Sequence, residues 1–300
     1  MQRYTPPDGN MLYVRPYIMG IPSKQTSKLI SYWLRHNPQD AELHVDEFGW
    51  TSIDQLLQAL EVRDVKANVQ DLIRLNNSFD KVRWEIDTNS GKLRATHGHS
   101  IPIILEDKVK LPPDKLYHGT SVKSVIEIAK EGLKSMHRQF VHFTETTETA
   151  KSVGSRHGKP IIIEIETETL VNKGWKFYQT SENVWLTTDI PAAYLSFRPW
   201  HLIDTTLDFF INELKREIGN RHSHYLYFRL NHLKAIWQSS ASDDVLFQDQ
   251  ESGKCYDVHL TYTKMDQEAD GWPHTKTYKT LQDWIAEKLW YDQECFYDLK

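Results

Sequence analysis

Cysteine is scarce in this 300-residue chain, with only Cys255 and Cys295 present. Two cysteines cannot build a disulfide framework, and neither belongs to a CxxC metal motif, so the composition predicts a protein of the reducing cytoplasm. Long apolar runs are missing too, and we expect no transmembrane helix. Residues 1–21 contain prolines and charged residues and lack the apolar segment of a signal peptide.

The chain also lacks an excess of positive charge, since its formal net charge is −5. This excludes a protein coated in positive charge but leaves room for a local basic site that binds an anion. The patterns GxxxxGK[ST], GxGxxG, HExxH and GxSxG are absent, which excludes the P-loop, dinucleotide-fold, zincin and hydrolase-elbow classes. With 39% hydrophobic residues, a chain of this length predicts two domains, or a domain pair with an extension.

After an extended leader at residues 1–22, the sequence has the periodicity of helices followed by a β-hairpin. The first helix ends at Pro38, and Ser52 opens the second helix with a capping box. The expected elements are helices at residues 24–37, 52–60 and 67–75 and strands at residues 82–86 and 92–96. These are the ingredients of a winged helix, which we predict at residues 23–105.

Beyond a proline-containing linker at residues 104–114, short strands alternate with helices, which indicates an α+β lobe at residues 106–198. The expected strands are residues 116–118, 141–143, 161–165 and 184–186, and the expected helices are residues 121–130 and 145–155. Residues 199–300 are predicted to form an accessory α+β domain. Its signals are a helix around residues 207–214, a hairpin at residues 245–247 and 256–262, and a last helix that begins at Thr280.

Arginine and histidine recur at the ends of these elements. Arg35 and His36 end the first helix, where a cation is favoured by the helix dipole, so capping explains the pair. Alternatively, Arg35 binds an anion and His36, which titrates near neutrality, transfers a proton. Arg83 alternates with apolar neighbours in a strand and either faces solvent or projects into a cleft between the lobes.

The second lobe contributes residues 118–120 and the pair Arg138 and His142. Residues 118–120 are expected to end a strand and enter a helix, where glycine lets backbone N–H groups approach a polar or anionic ligand. On sequence pattern alone these residues indicate an anionic ligand and do not name the reaction.

Several histidines are candidate metal ligands. His97 and His99 would share one face of a strand, and the tail contains His222, His224 and His232. Because no further ligand stands at a fixed spacing, we expect these to be isolated histidines and no metal to be bound.

An ordered set of motifs indicates a more specific function than the single residues do. In the first lobe it consists of residues 27–36, 46–50, 81–84 and 94–100, and in the second of residues 116–120, 132–133, 138–143, 154–160 and 183–187. No single motif is specific, but the set, which covers about residues 24–195, resembles the RNA 2′-phosphotransferase family known as Tpt1 or KptA. The resemblance implies a winged-helix RNA lobe and an ADP-ribosyltransferase-like split β-sheet lobe with a cleft between them.

The resemblance also implies the reaction. NAD is consumed as a co-substrate, and the partner is an RNA that carries an internal 2′-phosphate, as left by certain tRNA splicing ligases. The phosphate attacks the nicotinamide-bearing ribose carbon and expels nicotinamide. The ribose 2″-hydroxyl then attacks phosphorus, which yields 2′-OH RNA and ADP-ribose 1″,2″-cyclic phosphate.

The family's phosphate-binding tetrad corresponds to Arg35, His36, Arg83 and Arg138, with His36 expected to move the proton in the second step. Guanidinium groups suit a phosphate because they form charge-assisted, partly bidentate hydrogen bonds, so no metal is required. The positions implied for NAD binding are His118, Gly119, Thr120 and His142. Alternation along the strand leaves a core role open for His142.

Two positions depart from the family pattern. His97 stands where the family usually has glutamine, and Asn183 where it often has glycine, so we expect altered local contacts. Two other functions stay open: an ADP-ribosyltransferase that modifies terminal phosphates of RNA or DNA, and a non-catalytic RNA-binding protein on the same fold. Residues 199–300 have no counterpart in the family core, and extended RNA binding, dimerisation or protection of the cleft are all open for them.

Overall fold

A computed structural model describes residues 24–79, 82–203, 208–219, 225–262 and 272–298 of the chain. The chain divides into two compact units, which we call unit 1 (Met1–Ile104) and unit 2 (Leu105–Lys300). Among the described residues, no helix is both long and apolar enough to cross a membrane. The predicted leader at residues 1–22 and the tail histidines 222 and 224 lie outside the described residues.

Unit 1 packs helices against a small antiparallel sheet. Its helices are α1 (Lys24–Arg35), α2 (Ile53–Val62) and α3 (Val69–Asn77), and its strands are β1 (Thr51–Ser52), β2 (Trp84–Asp87) and β3 (Lys92–Ala95). Strand β3 lies between β1 and β2 and runs antiparallel to both. The expected helices and the expected β-hairpin are therefore present.

Local signals set the ends of these helices. Helix α1 ends at Arg35, shortly before Pro38, as predicted. The side chain of Ser52 accepts a hydrogen bond from the Gln55 N–H in the first turn of α2, at 3.4 Å. The predicted cap is therefore present, but the return bond from the Gln55 side chain that would complete the predicted capping box is not formed. Helix α3 has a full capping box that the sequence analysis missed, because Asn68 and Asp71 each accept a hydrogen bond from the other's backbone N–H.

The buried core of unit 1 packs the hairpin against α1. Trp33 of α1, Leu56 of α2, Leu72 of α3 and Trp84 of β2 all belong to one buried cluster. In addition, Trp84 Nε1 donates a hydrogen bond to Ser31 of α1 at 3.3 Å. Burying one large apolar side chain stabilises a fold by about 1.5–3 kcal/mol. These contacts therefore hold the loop that follows β3 close to the C-terminal end of α1.

Unit 2 is larger and contains separate sheets with helices packed against them. Its strands are β4 (Lys115–Ser121), β5 (Val141–Phe143), β6 (Pro160–Glu166), β7 (Tyr178–Ser181), β8 (Val184–Thr187), β9 (Trp200–Leu202), β10 (Leu233–Ser239), β11 (Asp244–Asp249), β12 (Cys255–His259) and β13 (Thr275–Tyr278). Its helices are α4 (Val125–Glu131), α5 (Thr147–Gly154), α6 (Thr167–Asn172), α7 (Phe209–Ile218), α8 (Leu281–Trp284) and α9 (Trp290–Asp298), with a π-helical segment Ile285–Leu289 between the last two.

The strands of unit 2 pair antiparallel throughout their described length. Strands β4 and β6 form a two-stranded ribbon, β8 lies between β5 and β7, and β9 to β13 form a five-stranded sheet in chain order. The chain is therefore a mixed α and β protein.

Unit 2 has two buried clusters, and the larger one joins its N-terminal strands to its C-terminal region. Strands β4, β6 and β8 contribute to the same buried cluster as Trp200, Trp237 and Trp284 of the C-terminal region. The ring centroid of Phe197 lies 4.9 Å from that of Trp237, and Trp237 lies 5.5 Å from Trp284. This core continues across residue 198, where the sequence pattern ends the second lobe.

Some expected elements of the C-terminal region are confirmed and others were missed. Strands β11 and β12 form the predicted hairpin, and Thr280 caps α8 by accepting a hydrogen bond from the Asp283 N–H. Strands β9, β10 and β13 were not predicted. The predicted linker also packs on unit 2, since the Lys110 N–H donates a hydrogen bond to the Phe177 carbonyl at 3.0 Å.

Candidate active site

In unit 1, the end of α1 carries Arg35, and His36 follows it directly. Arg35 is half-buried and His36 is exposed. The Ser100 N–H donates a hydrogen bond to the Arg35 carbonyl at 2.9 Å. Ser100 Oγ lies 3.0 Å from His36 Nδ1 and shares a hydrogen bond with it. Ser100 thus ties the helix end to the loop after β3 and orients the imidazole of His36.

The same loop makes room for Arg35 at Gly98. Gly98 has a φ of +88°, in the left-handed region that favours glycine, and Arg35 Nη1 lies 3.6 Å from the position that a Cβ would take there. The guanidinium therefore packs against the Gly98 backbone. A side chain at this position would be strained and would press on Arg35.

His99 is buried behind these residues, with 4% of its surface exposed. Burial, reinforced by the charges of Arg35, His36 and Arg94, lowers the pKa of His99 to about 3. No described residue supplies a hydrogen-bond partner for its Nε2. His99 is therefore neutral at physiological pH, and arginines supply the positive charge beside it.

The expectation that His97 and His99 share a strand face is wrong, because β3 ends at Ala95. His97 Nδ1 shares a hydrogen bond with Thr96 Oγ1 at 3.0 Å, whereas His99 is buried. Within the described ranges there is no group of three or more His, Cys, Asp or Glu side chains placed to hold a metal ion.

Arg83 immediately precedes β2 and is half-buried, so the reading of a strand residue that faces solvent does not hold. Its Nη1 donates a hydrogen bond to Ser27 Oγ of α1 at 2.9 Å, and its guanidinium lies 4.3 Å from the centre of the Phe79 ring. Ser27, Ser31 and Arg35 recur every four residues and so lie on one stripe of α1. Arg35 therefore lies at one end of this stripe, and Arg83 is held by Ser27 at the other. Ser27 and Arg35 are about 12 Å apart along the helix axis.

In unit 2, His118, Gly119 and Thr120 lie inside β4, which continues to Ser121, and α4 begins only at Val125. The expected strand-to-helix turn at residues 118–120 is therefore wrong. The physical reason is the long-range pairing of this segment with residues 161–163 of β6, which local sequence patterns do not contain.

Gly119 is required for close packing of backbones. A Cβ on Gly119 would lie 1.8 Å from the Ala150 carbonyl oxygen of α5, and a Cβ on Gly154 would lie 2.3 Å from the Thr120 carbonyl oxygen. Helix α5 thus packs directly on the backbone of β4, and neither position has room for a side chain. Thr120, 8% exposed, shares with His118 the opposite face of the strand.

The backbone of Gly119 also has unused hydrogen-bonding groups. Glu164 and Ile162 of β6 direct their N–H and C=O groups away from β4. In an antiparallel pair the residues opposite them must then point their own groups to the other edge. Tyr117 uses that edge to exchange two hydrogen bonds with Thr144, each 2.9 Å. The N–H and C=O of Gly119 face the same edge, and none of the described residues bonds to them.

Next to Gly119, the imidazole of His118 donates a hydrogen bond from Nδ1 to the His142 carbonyl at 2.9 Å. Its ring packs edge-on against Phe143, with centroids 5.8 Å apart. Burial lowers the pKa of His118, and the nearby charge of Arg138 lowers it further. The ring is therefore neutral at pH 7, with the lone pair on Nε2 as a hydrogen-bond acceptor.

Arg138 is exposed in the turn that precedes β5. Its Nη1 lies 3.4 Å from His142 Nδ1, which also lies 3.2 Å from the Phe140 carbonyl oxygen. An unprotonated Nδ1 accepts from Arg138, whereas a protonated Nδ1 donates to Phe140. His142 is half-buried, and it links Arg138 through its ring to His118 through its carbonyl. Unit 2 thus brings His118, His142 and Arg138 together.

The remaining motif positions are turns. Residues 155–157 form an exposed 3₁₀ turn. Asn183 stands between β7 and β8 with a φ of +59°. Asparagine tolerates this left-handed conformation better than most residues, so the chain accommodates the missing glycine there.

Sequence reasoning missed the side chains that hold the arginines and His36 in place. These are Ser27 and Phe79 for Arg83 and Ser100 for His36. Ser27 and Ser100 lie within the quoted motifs, which is a usable signal, but their partners are 56 and 64 residues away along the chain.

Comparison with known proteins agrees with the motifs. The sequence model of the "RNA 2'-phosphotransferase, Tpt1 / KptA family" matches residues 22–189. A relative from Fusobacterium nucleatum is 40% identical over 171 residues, which is 57% of this chain and 96% of the relative. One from Bacillus thuringiensis is 43% identical over 175 residues, 57% of this chain and 92% of the relative. A third, from Burkholderia pseudomallei, is 37% identical over 173 residues, 58% of this chain and 94% of the relative.

All three relatives bear the name "Probable RNA 2'-phosphotransferase". The family match covers more than half of the chain and contains every candidate residue described above in units 1 and 2. The chain therefore belongs to the RNA 2′-phosphotransferase, Tpt1 / KptA family.

Proposed function

We propose that this protein is an NAD-dependent RNA 2′-phosphotransferase. It removes an internal 2′-phosphate from RNA through an RNA-2′-phospho-ADP-ribose intermediate. The observation that carries the NAD part of this proposal is the pair of unused backbone groups on Gly119 beside a neutral His118.

Those two backbone groups suit the carboxamide of nicotinamide. A carboxamide offers one acceptor and one donor side by side, and the C=O and N–H of a single extended residue offer the complementary pair. His118 Nε2 adds an acceptor suited to a ribose hydroxyl, and Thr120 follows on the same face. His142 holds His118 and Arg138 in place through its carbonyl and its ring.

The 2′-phosphate is assigned to Arg35, His36, Arg83 and Arg138. A phosphate dianion near the pyrophosphate of NAD needs concentrated positive charge, and charge on the phosphoryl oxygens grows in the second step. Arg35 and Arg83 are held along one stripe of α1, by the Gly98 backbone and by Ser27. Fixed guanidinium groups stabilise such charge without reorganising during the reaction.

In the first step a phosphate oxygen forms a bond to the ribose C1″ while the bond from C1″ to nicotinamide breaks. In the second step the 2″-hydroxyl forms a bond to phosphorus while the bond to the RNA 2′-oxygen breaks. His36, oriented by Ser100, is the group that moves the proton from the attacking hydroxyl to the leaving oxygen.

The same proposal assigns a fold to each of the two lobes. The order of α1, β1, α2, α3, β2 and β3 supports a winged-helix RNA lobe at residues 23–105. The ribbon β4–β6 and the sheet β5–β8–β7 support a split-sheet ADP-ribosyltransferase-like lobe at residues 106–198.

The test is to incubate the full chain with NAD and a short RNA that carries one internal 2′-phosphate, and to follow the RNA by gel and mass. We expect 2′-OH RNA, nicotinamide and ADP-ribose 1″,2″-cyclic phosphate. The matched control is the same RNA without the 2′-phosphate, which should stay unchanged. Activity should also fall as the salt concentration rises, because the substrate is a polyanion.

Two outcomes would overturn the proposal. If the 2′-phosphorylated RNA stays unchanged while a 5′-phosphorylated oligonucleotide gains ADP-ribose, the protein is an ADP-ribosyltransferase of terminal phosphates. If neither RNA reacts and the protein binds RNA without consuming NAD, it is a binding module on the same fold.

A further inference from the structure

The C-terminal region reaches the ribbon that carries Gly119. Gln293 of α9 is 3% exposed, and its side chain binds both backbone groups of Ile162 in β6. The Ile162 N–H donates to Gln293 Oε1 at 2.9 Å, and Gln293 Nε2 donates to the Ile162 carbonyl at 2.9 Å. A single glutamine amide therefore takes the place of a neighbouring strand at this point of the edge of β6.

The backbone groups on the outer edge of β6 each have a hydrogen-bond partner. Glu164 exchanges two backbone hydrogen bonds with Ser196, and two residues further on Ile162 pairs with Gln293. The next position in this register is Pro160, which has no N–H to satisfy. Gln293 thus supplies the partner that would otherwise be missing for two buried backbone groups, and such groups are costly to leave unpaired.

Ile162 is also the register partner of Gly119 in β4. The chain of contacts therefore runs from Gln293 through Ile162 to Gly119, whose unused N–H and C=O face the opposite edge of the ribbon. A two-stranded ribbon needs support from its surroundings. Helix α5 and Thr144 support β4, and Ser196 supports the outer edge of β6, so the position of β4 depends in part on what holds β6. Gln293 supports it at the residue opposite Gly119.

The neighbours of Gln293 hold α9 against the same unit. Asp292 accepts a hydrogen bond from Trp200 Nε1 at 2.8 Å, and Glu294 accepts one from Lys151 of α5 at 2.9 Å. The ammonium group of Lys159 lies 4.2 Å from the centre of the Trp290 ring. These contacts keep α9 in place when only the amide of Gln293 is changed, which makes a single substitution informative.

We propose that Gln293 is a positioning residue for NAD: by holding Ile162 it sets the place of the Gly119 backbone groups that receive the carboxamide. This rests on the proposed function, which assigns Gly119 to NAD. The residue lies outside residues 22–189, so the C-terminal region of this chain takes part in its cofactor site although the family match ends before it.

The test compares Gln293→Met with Gln282→Met in the full chain. Methionine has nearly the length of glutamine and removes the hydrogen bonds with little change in volume. Gln282, which precedes α9 in the same helical segment, donates a hydrogen bond from Nε2 to the Val122 carbonyl at 3.0 Å, beyond the end of β4. Direct NAD binding by calorimetry and the KM values for NAD and for RNA are measured for both variants and for the unchanged protein.

We expect Gln293→Met to weaken NAD binding about tenfold, the loss that corresponds to about one hydrogen bond. The KM for RNA should stay unchanged, and Gln282→Met should bind NAD as the unchanged protein does. A loss of NAD and RNA affinity together in Gln293→Met would show a general structural role for Gln293 and overturn the inference.

Equal NAD affinity in Gln293→Met and the unchanged protein would overturn the inference alone. Failure of the unchanged protein to bind NAD would overturn the proposed function instead. Should Gln293→Met not fold, the same measurements are made on Gln293→Asn, which keeps the amide but is one methylene shorter. NAD affinity equal to that of the unchanged protein in that variant would overturn the inference equally.

Discussion

His118 is held by the backbone of His142, with Nδ1 donating a hydrogen bond to the His142 carbonyl at 2.9 Å. This contact fixes the tautomer of a neutral imidazole, so Nε2 is the acceptor. The bond joins β4 to β5 at the point where the backbone groups of Gly119 are unused. The orientation of His118 and the position of β5 therefore depend on each other.

Replacing His118 with phenylalanine should weaken NAD binding. His118→Phe keeps an aromatic ring against Phe143 but removes the Nε2 acceptor and the bond to His142. We expect the Kd for NAD to rise about tenfold or more, because each lost hydrogen bond costs roughly 1 kcal/mol. The control is His232→Phe, at a half-exposed histidine beside Glu251 in the C-terminal region. NAD affinity unchanged in His118→Phe would contradict the assignment.

The affinity should also depend on pH in one direction. Burial lowers the pKa of His118 below its ordinary value of 6.5. Lowering the pH through that depressed pKa protonates Nε2 and removes the acceptor, so NAD affinity of the unchanged protein should fall in acid. The affinity of His118→Phe should lack this component.

Removal of Arg138 or His36 should interrupt the second step. We expect Arg138→Ala and His36→Ala each to accumulate RNA-2′-phospho-ADP-ribose, with the second step slowed about 10²–10³-fold, as for the loss of one preorganised charge donor. Single-turnover assays that resolve the intermediate by gel provide the measurement. The control Arg216→Ala removes an exposed arginine that is paired with Glu213 and should react normally. Normal rates of both steps in Arg138→Ala and His36→Ala would refute the roles given to these residues.

His99 should make unit 1 less stable in acid. Its pKa is lowered to about 3 in the folded protein from an unfolded value of 6.5, so the unfolded state binds more protons between these values. The free energy of unfolding therefore falls as the pH drops below 6.5, by up to about 1.4 kcal/mol per pH unit. Urea unfolding of the unchanged protein and His99→Asn at pH 7.5 and 5 should show a smaller acid loss in the variant. Equal losses would argue against a buried neutral His99.

Asp257 should change the free energy of unfolding with pH in the direction opposite to His99. It is 7% exposed and accepts a hydrogen bond from Trp284 Nε1 at 3.2 Å, and burial raises its pKa to about 6 from 3.8. The folded state then binds more protons, and its stability contribution is lost as the pH rises through about 6. Asp257→Asn keeps the acceptor without the charge, so at pH 7.5 it should raise the free energy of unfolding by about 1–3 kcal/mol. The gain should shrink toward pH 4.5 in urea unfolding, and a gain independent of pH would contradict the burial argument.

A chain that ends at Phe197 should not fold. It would lack Trp200, Trp237 and Trp284, which are at most 2% exposed and belong to the core shared with β4, β6 and β8. Truncating one buried tryptophan costs about 3–5 kcal/mol, and a whole domain is stable by only about 5–15 kcal/mol. We expect an insoluble or non-cooperative fragment by circular dichroism and thermal melting. A soluble fragment with cooperative unfolding and turnover would show that the C-terminal region is a separate accessory module.

Local chemistry made several elements predictable. Ser52 and Thr280 cap their helices as expected because a hydroxyl beside the first turn satisfies a nearby backbone N–H, whatever the rest of the fold does. Hairpins around residues 88–91 and 250–254 follow from turn residues flanked by strands. The motifs themselves were enough to predict the family that the comparison confirmed.

The sequence alone determined the helix ends that are set by local caps and the hairpins that are set by turn residues, because these depend on neighbours along the chain. It also supplied the residue types on which the proposed phosphate and NAD sites rest. Tertiary structure decided what those residues do. Pairing with β6 makes Gly119 a strand residue, and its backbone packs on α5. Gln293 forms hydrogen bonds with Ile162, which is 131 residues away along the chain. Such contacts depend on which edges and faces the fold leaves unsatisfied, and that is settled only when distant segments pack together.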